Sequence, residues 1–228
     1  MKVPDGTEMH AYVKAPAGPG PFPGLMVFPE AFGVNHHMRA VVDRFADAGF
    51  VAISPELYHR TAPPGWECGY GEFDKVKPHL QAITPETLLA DSRACWSFLK
   101  DHPKVGSERI ASVGYCLGGR ASFVANLGTP LKAAISYYGG GIAPDLVKRA
   151  SELHGPMLFF WGGLDKHIGT EAPVKVGEAL RAAGKRFINV EISFADHGFS
   201  CDERPSYNPE ATREATALTL AFLREHLG

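Results

Sequence analysis

The chain has 228 residues, 45% hydrophobic and 21% charged, with a formal net charge of −2. These values describe one globular α/β-sized domain, spanning residues 1–228, and exclude a disordered or low-complexity polypeptide. With near-neutral charge and no basic run there is no electrostatic footprint for nucleic acid or an anionic membrane, so a small-molecule substrate is expected.

Met1 to His10 is polar and lacks an apolar stretch of signal-peptide length, and no later run reaches the length of a membrane span, which predicts a cytoplasmic protein. Four widely spaced cysteines, Cys68, Cys95, Cys116 and Cys201, lack the close pairs of a zinc or redox site. Reduced thiols are expected, with neither metal nor organic cofactor. A monomer or weak dimer is expected.

Met9 to Lys14 is predicted as an edge strand, followed by a Pro- and Gly-rich turn over residues 15–23. Gly24 to Phe28 is continuously apolar, as in a strand covered on both faces. Met38, Val41, Val42 and Phe45 follow helical spacing over residues 36–48, and Phe50 to Ser54 forms the next buried strand. Residues 55–83 break the rhythm with Tyr58, Trp66, Tyr70 and Phe73 and predict an irregular cover segment. Within it, Tyr58 and Trp66 are candidate substrate contacts.

Thr84-Pro85 opens a helix to about Lys100. Later strands are expected over Ala133–Tyr138, Pro156–Trp161 and Phe187–Phe194, with helices over Glu171–Ala183 and from Asn208 to Leu227. Strands alternating with helices predict a mostly parallel central sheet with helices on both faces, and sites in such sheets collect at the carboxyl ends of the strands.

Chemistry centres on Arg109–Ala121, an apolar β-branched run that stops at Gly114 and restarts as a helix after Cys116. Gly114-Tyr115-Cys116-Leu117-Gly118 has the form of a nucleophile elbow, G-x-S-x-G, with sulfur in place of the hydroxyl. A thiol there stands at a helix N-terminus, whose dipole and free N–H groups favour a thiolate and can hold an oxyanion.

A nucleophile needs a base and a group to orient it. Asp165 follows one strand in Gly162-Gly163-Leu164-Asp165, and His197 follows the next in Asp196-His197-Gly198-Phe199. The order nucleophile, acid, histidine is that of an α/β-hydrolase. His167 is the rival base, but it shares a loop with Asp165. Asp196 is the rival acid, but its side chain is expected to point away from the ring of its neighbour.

Through Gly114-Tyr115-Cys116-Leu117-Gly118-Gly119, Gly162-Gly163-Leu164-Asp165, His197-Gly198-Phe199 and Pro29-Glu30-Ala31-Phe32-Gly33-Val34-Asn35, the chain resembles the dienelactone hydrolase family of α/β-hydrolases. The resemblance implies an α/β-hydrolase fold and an esterase or lactonase with a Cys116–Asp165–His197 triad. It also implies that Glu30 contacts the resting thiol and that the N–H groups of Ala31 and Leu117 form the oxyanion hole. The type enzyme, as the resemblance implies, grips its substrate's carboxylate with two arginines. Here the position four residues after the histidine is Cys201, and the cover segment holds only Arg60. Arg204 and Arg93 are the substitutes, Arg204 being the substrate-contact candidate. Together with the aromatic cover, these departures predict that neutral esters are cleaved at least as well as carboxylated lactones. Two other readings are an acyltransferase and a silent or redox-sensing protein that keeps the fold, with Cys116 as an oxidisable thiol.

Overall fold

The computed structural model describes residues 1–228. Seven strands form one sheet in the order β1-β3-β2-β4-β5-β6-β7: β1 (Ala11–Lys14), β2 (Phe22–Phe28), β3 (Val51–Pro55), β4 (Val105–Tyr115), β5 (Ala134–Tyr137), β6 (Met157–Gly162) and β7 (Phe187–Ile192). All neighbours pair in parallel except β1, which runs antiparallel to β3 at the edge. This is the expected α/β-hydrolase sheet.

Alternation divides the core. In β2, Met26 and Phe28 join a cluster of 35 buried residues on one face, whereas Leu25 and Val27 join one of 26 on the other. The larger cluster is covered by α3 (Pro85–Asp101), α4 (Leu117–Gly128) and α5 (Glu171–Ala182), through residues such as Leu99, Phe123 and Leu180. The smaller lies under α1 (His36–Asp47) and α6 (Pro209–Leu227), through residues such as Met38 and Leu223.

Helix starts follow local chemistry. The Asn35 side chain accepts from the N–H of Met38, Thr84 and Thr87 form a reciprocal capping box before Pro85, and Asn208 caps α6 ahead of Pro209. Each cap satisfies N–H groups that the helix itself leaves without acceptors.

Two expectations require correction, and one further element carries no sequence signal. The strand before the elbow is longer than its apolar run, because the exposed Ser107 and Glu108 extend β4 beyond the covered core. A 3-10 helix, Leu146–Glu152, lies between β5 and β6, too short to show a helical period. The cover segment is also more ordered than expected: it contains α2 (Phe73–Leu80), which accommodates Pro78 in its last turn. An isolated bridge from Glu67 to Gly33 and a bond from the Cys68 N–H to the Phe32 carbonyl (3.2 Å) fasten it over the loop after β2.

Candidate active site

The site forms where β4 meets α4. Cys116 has φ 55° and ψ −113°, a conformation that L-residues rarely adopt and that holds its side chain clear of strand and helix. The turn depends on close backbone approach: a Cβ on Gly114 would lie 1.8 Å from the Gly118 carbonyl oxygen, and one on Gly118 would lie 2.1 Å from that of Phe28. Only glycine fits at either position.

Three loops at the carboxyl ends of β4, β6 and β7 bring Cys116, Asp165 and His197 together. Cys116 Sγ lies 3.1 Å from His197 Nε2, and His197 Nδ1 lies 2.8 Å from Asp165 Oδ2. Asp165 Oδ1 accepts from the backbone N–H groups of His167 (2.7 Å) and Ile168 (3.1 Å), which fixes the carboxylate. The rival acid does not reach the ring, because Asp196 Oδ1 accepts from the backbone N–H of His197 (2.6 Å). The rival base, His167, stands edge-on to His197 with ring centroids 5.1 Å apart.

Charge favours the imidazolium. Burial alone lowers the His197 pKa, but the hydrogen bonds and negative charges of Asp165 and Cys116 outweigh it and push it up to about 10. Burial likewise opposes the Asp165 carboxylate, and its bonds to His197 and to two backbone N–H groups reverse the effect, leaving its pKa below the ordinary value.

Leu117 and Ala31 line the same cavity as Cys116 and His197. No carbonyl in the chain accepts from the backbone N–H of either residue. Two backbone N–H groups without a carbonyl acceptor thus belong to residues that line the cavity holding the thiol. The Tyr58 hydroxyl donates to the Ala31 carbonyl (3.0 Å) and so anchors that loop.

Glu30 is placed differently from the expectation. It is 1% exposed, but its Oε1 accepts from Arg204 Nη1 at 3.1 Å, and Oε2 has no hydrogen-bond partner. The thiol is bonded to His197 instead, because Asp165 holds the imidazole within reach while Arg204 draws the carboxylate. Burial opposes the Arg204 charge, and the neighbouring Glu30 carboxylate restores and strengthens it. The guanidinium also lies 5.9 Å from the Phe32 ring centroid and 5.6 Å from that of Tyr70.

The cavity, about 360 Å³, is walled by Phe32, Phe73, Leu80 and Ile168, with Arg120 and Arg204 as its cations. Tyr58 and Trp66 do not line it. Tyr58 is buried beneath the cover, and Trp66 packs edge-on against Tyr58 and His79 at 5.2 and 4.6 Å. Their rings build the cover, and its apolar contact with the cavity comes from Phe73 and Leu80. Arg93 bonds only the Gly128 carbonyl (3.4 Å), and Arg60 is consumed by Asp5 and Asp91. Sequence reasoning missed Arg120. Its available signal was a lone cation four residues after Cys116, on the same helical face, in an otherwise small and apolar helix.

A second cluster brings together His37, Cys201 and Asp202, with His37 Nδ1 2.7 Å from Asp202 Oδ1. Burial and the nearby Glu30 push the Cys201 thiol pKa up to about 12, which makes it a poor nucleophile at neutral pH.

The sequence profile of the dienelactone hydrolase family matches residues 9–227. A protein of Synechocystis sp. named "Putative carboxymethylenebutenolidase" is 31% identical, over 91% of this chain and 88% of its own. One of the same name from Methylorubrum extorquens is 32% identical, over 99% and 80%. The structure titled "Putative Dienelactone Hydrolase" from Klebsiella pneumoniae superposes with a TM-score of 0.85 at 31% identity, covering 96% of this chain and 94% of that one. A profile that spans nearly the whole chain, relatives above 30% identity and a superposed fold agree: this chain belongs to the dienelactone hydrolase family.

Proposed function

We propose that this hydrolase cleaves a small ester or lactone with Cys116 as nucleophile, His197 as proton carrier and Asp165 as the group that orients His197. The observation that carries this reading is the continuous chain from Sγ through the imidazole to the Asp165 carboxylate, at 3.1 and 2.8 Å, beside two backbone N–H groups without acceptors. Family membership supports the bond class.

In this mechanism His197, as the imidazolium, holds the proton that Cys116 gives up, and Sγ attacks the substrate carbonyl. The oxyanion of the tetrahedral intermediate takes hydrogen bonds from the N–H groups of Ala31 and Leu117. Collapse expels the alkoxide, which accepts the proton from His197, and leaves a thioester on Cys116. A water then attacks that thioester, His197 taking one of its protons and returning it to the sulfur as the acid departs. Asp165 stays ionised throughout and stabilises the imidazolium. For a lactone, acid and alcohol leave as one hydroxy acid.

The test is hydrolysis of 4-nitrophenyl esters by wild type and Cys116→Ala, with mass spectrometry of wild type quenched during turnover. An acyl adduct on the peptide containing Cys116, absent from the variant, is the expected result. Undiminished turnover by the variant rejects the mechanism.

A further inference from the structure

Arg120 lies in the first turn of α4, four residues after Cys116, and lines the cavity that holds Cys116 and His197. It is the anomalous charge of the site. Its Nε is buried with no hydrogen-bond partner, and no acidic side chain lies within ion-pair distance of its guanidinium. Arg204, the other cation on the wall, is already neutralised by Glu30, and none of the side chains lining the cavity is acidic.

Burial lowers the pKa of Arg120, an effect only partly offset by Cys116 and Tyr58. A desolvated cation without a counter-charge weakens the folded state, and uncompensated buried charges are found where a ligand supplies the missing partner. The surroundings leave room for one. Gly141 puts no side chain beside the guanidinium; a Cβ there would lie 3.2 Å from Arg120 Nη1, and that residue already has φ +77°. A planar guanidinium matches a carboxylate in shape and charge.

We propose that Arg120 is a specificity-determining residue that pairs with a carboxylate on the substrate, so that the site selects carboxylated esters or lactones over neutral ones. This rests on the reading of Cys116 as nucleophile and reverses the neutral-ester expectation, because the cation has moved from the cover and histidine loops to the elbow helix. The rest of the wall, Phe32, Phe73, Leu80 and Ile168, takes the apolar part of the same molecule.

The experiment compares kcat/KM for 4-nitrophenyl hydrogen glutarate and neutral 4-nitrophenyl pentanoate in wild type, Arg120→Gln and Arg120→Lys. Wild type is expected to prefer the carboxylated ester. The ratio should fall about 10- to 100-fold in Arg120→Gln, chiefly through KM, and recover in part in Arg120→Lys. Calorimetric binding of glutarate to Cys116→Ala, and its loss in Cys116→Ala/Arg120→Gln, reads the same pairing without turnover. Failure of wild type to cleave either ester while glutarate still binds through Arg120 would sink the nucleophile reading and leave the anion site standing. An unchanged ester ratio, or glutarate binding that survives Arg120→Gln, overturns the anion site. Arg120→Met adds a structural control: its Tm should equal or exceed that of wild type, and a lower Tm would make the arginine a packing residue instead.

Discussion

Asp165 Oδ2 stands 2.8 Å from Nδ1 of His197, while the carboxylate nearer in sequence, Asp196, bonds only the backbone N–H of that histidine. The Asp196 carboxylate is engaged with that backbone N–H, so the carboxylate at the ring is the one from the other loop. Asp165→Asn should therefore reduce kcat by roughly 10³- to 10⁴-fold, by stabilising the wrong imidazole tautomer. Asp196→Asn should lower it by less than about tenfold. Steady-state ester hydrolysis checks both, and a reversed order would move the acid to the other loop.

The charge state of His197 links folding to pH. Its folded pKa is raised from 6.5 to about 10, so the native state binds a proton that the unfolded chain releases first. The stabilisation is complete below about pH 6.5 and is lost as pH rises toward about 10. Chemical denaturation of wild type and His197→Gln should show a difference in unfolding free energy that shrinks over this window. A difference independent of pH would contradict the linkage.

Glu30 and Arg204 form a nearly buried ion pair, of which Arg204 lines the cavity and Glu30 does not. Glu30→Gln leaves the guanidinium without its counter-charge and should destabilise the protein by about 3 kcal/mol. Glu30→Gln/Arg204→Met should recover part of that loss, because the unpaired charge is gone. Urea denaturation midpoints at constant m value measure the cycle, and additive losses would mean that the pair is not coupled.

The elbow tolerates no side chain at Gly118. A Cβ there would sit 2.1 Å from the Phe28 carbonyl oxygen, forcing β2 and α4 apart. Gly118→Ala is expected to cost about 3 kcal/mol of stability and to displace Leu117, with loss of esterase activity. Tm and turnover should fall together; a fully active, equally stable variant would mean that the backbone yields more easily than close packing allows.

The sequence by itself determined the elements that local chemistry specifies. Apolar runs placed β2, β3 and β6, caps at Asn35, Thr84 and Asn208 placed three helix starts, and Gly114 and Gly118 bracketed the strained cysteine. Chain order and loop position also singled out Cys116, Asp165 and His197 as candidates, and these side chains lie within hydrogen-bond reach of one another because parallel strands deliver their carboxyl-end loops to one edge. Only the tertiary structure decided which side chains face the cavity and how the charges pair. Tyr58 and Trp66, aromatic and in the cover, turn into its packing, whereas Arg120, hidden in a helix of small residues, reaches the cavity. Arg204 meets Glu30 across 174 positions of sequence, leaving Arg120 as the unneutralised cation. Contacts between side chains from distant loops depend on how those loops cross, and no local propensity or period encodes that.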